Sequence, residues 1–149
     1  MKVLSFLVLL MILSSASLTA LAQESDDASD FMHFDSMVMR FDGTDAYVTV
    51  TYDLDTFARM YVLAFGTRHL ESSFETIFSE YEEAKVIEIG YDTAIITLKN
   101  VSRSSGNYYL HDGRDLSTDI DSLRVIYPGG TSKTLTSVTE TPNIFYGKE

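Results

Sequence analysis

The feature of this sequence that most constrains its fold is the stretch from Asp55 to Glu83, the only long segment with helical rather than alternating periodicity. Asp55 is a favourable N-cap residue, and Gly66 is a favourable residue to end a first helix. The first half of the stretch is apolar nearly all round, which is typical of a helix buried on most faces. The second half has one apolar stripe among glutamates, which is typical of an amphipathic helix. The stripe comprises Leu70, Phe74, Ile77, Phe78 and Tyr81.

The sequence on both sides of this stretch alternates between apolar and polar residues, as β-strands do. The turn signal Asp42-Gly43-Thr44-Asp45 predicts that the first two strands form a hairpin. Residues 102–107 and 111–122 are polar and rich in turn formers, so we expect loops there. Strands are expected at 37–41, 46–54, 85–91, 94–101, 108–110, 123–127, 133–138 and 144–146.

The order of strands, two helices and further strands predicts a single α+β domain over residues 31–149. We expect an antiparallel sheet of five to seven strands, with the two-helix hairpin of residues 55–83 packed on one face. The apolar first helix would lie against the sheet, and the amphipathic second helix would cover it or an edge of the sheet. Either the second helix alone or a second copy of the chain would bury the remaining surface of the first helix.

The first residues have the pattern of a secretory signal peptide. Lys2 precedes an apolar run at residues 3–13, and a stretch of small residues ends in Ala20-Leu21-Ala22. This pattern predicts a signal peptide at residues 1–22, cleavage before Gln23 and a secreted or extracytoplasmic location. The alternative is an uncleaved N-terminal helix that anchors the chain in a membrane. Residues 23–30 are acidic and lack large apolar side chains, so we expect a disordered leader.

The charge balance of the chain excludes several classes of partner. The 149 residues include 11 Lys and Arg and 22 Asp and Glu. Loss of Lys2 with the signal peptide would leave 10 basic and 22 acidic residues, a net charge of −12. Such a surface repels nucleic acid and anionic membrane surfaces. Since the chain contains no cysteine, disulfides, thiolate metal sites and cysteine nucleophiles are excluded as well.

The densest group of acidic residues lies between His111 and Asp121. Asp115, Asp119 and Asp121 in a flexible loop can offer oxygen ligands to a hard cation, which gives the hypothesis that they bind Ca²⁺. Their spacing differs from the EF-hand pattern, and a solvated acidic loop is the competing interpretation. The sequence contains neither a histidine at metal-ligand spacing nor a G-x-S-x-G motif. No catalytic or cofactor-binding residue is therefore assigned.

Two features concern carbohydrate. Asn100-Val101-Ser102 is an N-x-S sequon, which makes Asn100 a candidate glycosylation site in an exported chain. The aromatic pairs Tyr108-Tyr109 and Phe145-Tyr146 can stack on sugars, although aromatic residues in a β-rich domain without cysteine more often belong to the core.

Several short segments give the chain a resemblance. They are Tyr52-Asp53-Leu54-Asp55, Ala58-Arg59-Met60-Tyr61, Tyr109-Leu110-His111-Asp112, Tyr127-Pro128-Gly129-Gly130 and Pro142-Asn143-Ile144-Phe145-Tyr146. With these segments the chain resembles small uncharacterised exported proteins of methanogenic archaea. The resemblance implies export and an acidic surface, and it implies no catalytic residue.

These observations favour an exported, non-enzymatic binding or self-assembly module of the cell exterior. Its partner would be a second copy of the chain, as in a homodimer, or another protein of the cell envelope. The alternative is a hydrolase or metal-dependent enzyme that uses the acidic segment from His111 to Asp121. A flat apolar patch on the helices would favour assembly, whereas a pocket lined by His111 and the aspartates would favour the enzyme.

Overall fold

A computed structural model describes residues 31–148 of the chain. The predicted signal peptide (residues 1–22) and acidic leader (residues 23–30) lie outside the described residues. The described part contains nine strands, two helices and one 3₁₀ turn. In chain order these are β1 (Met32–Asp42), β2 (Asp45–Leu54), α1 (Thr56–Phe65), the 3₁₀ turn (Thr67–Leu70), α2 (Glu71–Ile77), β3 (Ala84–Ile89), β4 (Thr93–Leu98), β5 (Ser102–Ser105), β6 (Tyr108–His111), β7 (Asp115–Ile126), β8 (Ser132–Glu140) and β9 (Ile144–Gly147).

Six strands form the main sheet in the order β3-β4-β2-β1-β7-β8. The three predicted hairpins, β1–β2, β3–β4 and β7–β8, are confirmed and are antiparallel. The central pair β1–β7 is parallel, with Ser36 opposite Ser122, so the prediction of a purely antiparallel sheet is wrong. The parallel pairing follows from the long connection between β1 and β7. The chain leaves β1 and passes through two helices and five strands before it returns beside β1 in the same direction.

A second, three-stranded sheet has the order β5-β6-β9. The predicted short strands at 108–110 and 144–146 are confirmed as β6 and β9. The predicted loop at 102–107 is wrong for its first part, because Ser102–Ser105 pairs with Tyr108–His111 across a tight turn at Gly106. Gly106 has φ +57°, a conformation that glycine adopts without strain.

The predicted loop at 111–122 is also wrong, because the chain is already in β7 from Asp115 onwards. This strand pairs with β1 on one side and with β8 on the other. Leu116 and Ile120 are buried, while Asp115, Asp119 and Asp121 are exposed. Burial of Leu116 and Ile120 and pairing with β8 at Asp115 and Ile120 hold this part of β7 in an extended conformation, and the ladder with β1 begins at Ser122.

The helices differ from the expectation in which of them packs on the sheet. Phe74 of α2 is fully buried on the inner face of the main sheet, with its ring centroid 6.3 Å from that of Phe34 and 5.3 Å from that of Tyr52. The second helix therefore covers the sheet. The expectation that the first helix lies against the sheet is wrong, since Val62 is the only buried residue of α1.

The small sheet covers the other end of the inner face. The ring of Phe41 at the end of β1 lies 5.0 Å from that of His111 and 5.2 Å from that of Tyr146. The core is thus closed by α2 at one end of the sheet and by β6 and β9 at the other. Within residues 31–148, no helix combines the length and the hydropathy needed to cross a bilayer.

Candidate functional site

Helix α1 begins directly after β2 and is fixed at both ends. The Asp55 carboxylate accepts a hydrogen bond of 2.7 Å from the backbone N–H of Ala58, which confirms the predicted N-cap. Gly66, at φ +85°, ends the helix as predicted, and its N–H donates to the Val62 carbonyl. Arg59 pairs with Asp53 at the end of β2. The helix therefore has defined ends, although little of it is packed.

Most side chains of α1 are exposed although they are large and apolar. The exposed fraction is 78% for Phe57, 64% for Met60, 66% for Leu63 and 67% for Phe65, and it is 41% for Tyr61. In contrast, Val62 is 1% exposed. Single exposed apolar residues are common on proteins, but five within one helix of 10 residues form a continuous patch.

The large apolar side chains that α1 exposes lie on one side of the helix. At 3.6 residues per turn, the arc from Leu63 to Tyr61 spans about 160°, and Phe65 lies about 40° beyond Tyr61, towards the buried side. The arc contains no charged side chain, because the only charged residue of the helix, Arg59, lies outside it. The arc comprises Leu63, Met60, Ala64, Phe57 and Tyr61, together with the uncharged polar residue Thr56. We call these residues, together with Phe65, the α1 surface.

The area of the α1 surface can be compared with that of known interfaces. Large apolar side chains expose about 150–250 Å² each when fully exposed. With the exposed fractions above, the five large residues present roughly 600 Å² of apolar area. This value is at the upper end for a monomer, and it approaches the roughly 800 Å² per partner of a standard protein–protein interface.

The charge around the α1 surface differs from that of the whole chain. Residues 56–70 contain no Asp or Glu, although the chain has 22 of them, and they include Arg59, Arg68 and His69. Two copies of an acidic protein would repel each other least at such a segment. The α1 surface is therefore both apolar and free of the charge that would oppose self-association.

Of the three aspartates in the Ca²⁺ hypothesis, Asp121 lies close to other possible metal ligands. Asp121 lies next to His33, whose Nε2 is 3.0 Å from an Asp121 carboxylate oxygen and 3.6 Å from one of Asp35. One ligand atom of each of these three residues lies within 4.8 Å of the others, and all three are exposed. In the part of the chain that the structure describes, Asp115 and Asp119 belong to no such group. The Ca²⁺ site at Asp115, Asp119 and Asp121 stays a prediction.

His111 is buried and its ring is engaged in the core. Its Nδ1 donates to the Val101 carbonyl oxygen at 2.9 Å, and its Nε2 lies 3.4 Å from the Thr141 hydroxyl. The same hydroxyl lies 2.8 Å from that of Tyr81. Burial lowers the pKa of His111 below its usual value, which favours the neutral ring. The ring thus connects β6 of the small sheet with Val101 and Thr141. It is 1% exposed, whereas the aspartates of β7 are exposed to solvent.

The candidate glycosylation residue Asn100 is exposed at the end of β4. Its side-chain amide donates to a carboxylate oxygen of Glu83 at 2.8 Å. The sequon residue Ser102 is buried, and its hydroxyl accepts a hydrogen bond of 2.8 Å from the Tyr146 hydroxyl. Glycosylation of Asn100 stays a prediction.

No known protein family, curated protein or solved structure matches this chain. The resemblance to archaeal exported proteins therefore stays a prediction, and the residues themselves must indicate the function. The sequence pattern predicted apolar surface in excess on the first helix but left open what buries it. Among the described residues, the second helix leaves most of that surface exposed.

Proposed function

We propose that this chain is an exported self-association module that forms a homodimer through the α1 surface. The observation that carries the proposal is the exposure of five large apolar side chains on a single helix with no charge between them. Water contact with such a patch is unfavourable, and burial against an identical patch relieves it for both copies.

A second copy suits this surface better than an unrelated partner does. A two-fold arrangement would place two α1 helices side by side, so that each apolar arc covers the other. Both copies would contribute roughly 600 Å², and a total of about 1,200 Å² is the lower limit of stable interfaces. The expected affinity is therefore modest, with dissociation in the micromolar range.

The cell exterior is the proposed location. Support comes from the apolar run at residues 3–13 and the small residues before Gln23. The enzymatic alternative, based on the segment from His111 to Asp121, is disfavoured by the geometry, since the His111 ring is engaged in the core while the aspartates face solvent.

Light scattering coupled to size-exclusion chromatography tests the proposal on the processed protein. We expect wild-type chains to pass from monomer to dimer as the concentration rises through the micromolar range. Met60→Glu places a charge in the apolar arc at a side chain that is 64% exposed, so it should abolish dimers without unfolding the chain. Ser72→Glu is the matched control, because it adds the same charge at an exposed position of α2 and should leave dimerisation unchanged.

A wild-type protein that stays monomeric at about 1 mM would refute the proposal. If that monomer sedimented with uncharged phosphatidylcholine vesicles, the α1 surface would instead bind a lipid interface. Equal loss of dimers in Met60→Glu and Ser72→Glu would show that net charge, rather than the α1 surface, controls association.

A further inference from the structure

A groove lies on the outer face of the main sheet, next to the β1–β2 turn. Its volume is about 840 Å³, within the range of small-ligand sites. It is lined by Arg40 and Tyr47 of the main sheet, by Tyr127 next to the β7–β8 turn, and by Tyr109 and Lys148 of the small sheet region. Several of these residues are exposed, so the groove is accessible from solvent.

Glycine residues leave the groove unfilled. Gly129 and Gly130, at φ +83° and +86°, belong to the β7–β8 turn that lines it. Gly147 of β9 also lines it, and a Cβ atom added there would have no neighbour within 4 Å. The lining therefore includes three positions without side chains, which leave space for a ligand.

Arg40 is one of two cationic residues in the described lining of the groove. Its cross-strand neighbours are Tyr47 on β2 and Ile126 on β7, so the side chain extends between an aromatic and an aliphatic residue. Ion pairs among residues 31–148 are formed by Arg59, Lys99, Arg103 and His33, and Arg40 is not among them. In a chain with twice as many acidic as basic residues, an arginine without a carboxylate partner is available to an external anion.

Lys148 provides a second positive charge in a fixed place. Its ammonium group donates to the Ser104 hydroxyl at 2.6 Å and to the Gly106 carbonyl at 2.7 Å, and lies 5.1 Å from the centroid of the Tyr109 ring. Within residues 31–148, the only acidic residue in the lining is Asp42. These described residues therefore give the groove a net positive charge, on a chain whose net charge is −11.

Three tyrosines supply the remaining surface of the groove: Tyr47, Tyr109 and Tyr127. Each combines an apolar ring face with a hydroxyl that donates and accepts hydrogen bonds. A sugar ring has the complementary combination, with an apolar face of C–H groups and a rim of hydroxyls. The acidity of the chain as a whole opposes long polyanions such as nucleic acid, which would extend beyond the groove.

From this combination we propose that the groove binds a carboxylate-bearing sugar, such as a uronic acid unit of a short oligosaccharide. The guanidinium of Arg40 pairs with the carboxylate, and Lys148 adds a second favourable charge. The faces of Tyr47 and Tyr127 contact the sugar ring. The groove adjoins the beginning of β2 and α1 follows its end, so binding and dimerisation use opposite ends of one strand.

Isothermal titration of the processed protein with tetragalacturonate tests this proposal, with maltotetraose as the neutral probe of equal length. We expect heat with the acidic probe and none with the neutral one. Arg40→Gln removes a charge-assisted hydrogen bond and should weaken binding about 10- to 100-fold. Arg124→Gln is the matched control, because Arg124 is an exposed arginine of the same sheet that lies outside the groove. Its affinity should equal that of the wild type.

Lys148→Gln is a second variant in case Arg40→Gln disturbs the fold, which the melting temperatures would reveal. It should weaken binding as well, because it removes the second positive charge of the groove. Since Lys148 lies at an exposed position after the last strand, its replacement leaves the core unchanged. The proposal is overturned by absence of binding to tetragalacturonate at millimolar concentration, by equal binding of maltotetraose, or by equal weakening in Arg124→Gln. Displacement of the sugar by an equal concentration of inorganic phosphate would overturn it too, since the groove would then be a general anion site. Dimerisation measured in parallel keeps this outcome separate from that of the proposed function.

Discussion

Replacement of Phe74 by alanine should destabilise the folded chain far more than the same replacement of Phe57, although the two residues lie on consecutive helices. Phe74 is fully buried between Phe34 and Tyr52, and loss of such a side chain leaves a cavity. Phe→Ala substitutions of this kind lower the free energy of unfolding by about 3–5 kcal/mol.

Phe57 is 78% exposed, so only about a fifth of its surface is buried and would lose contacts in the alanine variant. Full burial of phenylalanine contributes about 2–3 kcal/mol, so the lost part is about 0.5 kcal/mol. Alanine has the higher helix propensity and recovers a similar amount. We therefore expect Phe57→Ala to change the free energy of unfolding of the monomer by less than about 0.5 kcal/mol.

Urea unfolding followed by circular dichroism measures both values by linear extrapolation. At about 1 µM protein, where the chain should be monomeric, only Phe74→Ala should differ from the wild type. At about 100 µM the wild type should gain stability from dimerisation, and Phe57→Ala should gain less. If both variants lost stability equally at the low concentration, α1 would be a packed core helix, and the reasoning about the α1 surface would fail.

Further predictions concern the buried histidine, a close backbone contact and the acidic residues of β7. Burial lowers the pKa of His111 from 6.5, so the unfolded chain binds a proton more readily than the folded chain does. The free energy of unfolding should therefore fall as the pH drops below about 6.5. In His111→Gln, the urea midpoint should fall less over the same pH range. In Gly113→Ala the new Cβ would overlap the Thr141 carbonyl oxygen, so the melting curve should report a loss of about 1–3 kcal/mol, whereas Gly147→Ala meets no atom and should be nearly neutral. The Ca²⁺ hypothesis predicts that isothermal titration with Ca²⁺ gives heat, and that Asp119→Asn removes this heat. Loss of the heat in His33→Gln alone would assign the binding to the group of His33, Asp35 and Asp121. No heat, together with an unchanged melting temperature, would reject Ca²⁺ binding.

The elements that were predictable from sequence depend on neighbours in the chain. The turn at Asp42–Asp45, the cap at Asp55 and the stop at Gly66 are local signals, and the structure confirms all three. The parallel pairing of β1 with β7 depends on residues far apart, which no local pattern reports. The first part of β7 has only two buried apolar residues, Leu116 and Ile120, and the rest of its residues are polar. The alternation that indicates a strand is therefore weak there.

The two candidate sites also differ in how far the sequence predicts them. The excess of apolar residues on α1 is visible in the sequence, but its exposure depends on α2 taking the place on the sheet. The groove is lined by residues from separate stretches, which include Arg40, Tyr109, Tyr127 and Lys148. No motif joins these residues, since only the folding of the two sheets brings them together.

The parallel pairing of β1 with β7 also determines the order in which the sheet can form. Ser36 meets Ser122, 86 positions later, whereas the hairpins β1–β2 and β3–β4 pair through short connections. Contacts of such large separation form slowly, so the arrival of the β7–β8 hairpin should limit refolding to milliseconds or longer; stopped-flow refolding in microseconds would contradict this. Until that step one edge of β1 has unpaired backbone groups, which makes it the part of a newly made chain most prone to pair with another molecule.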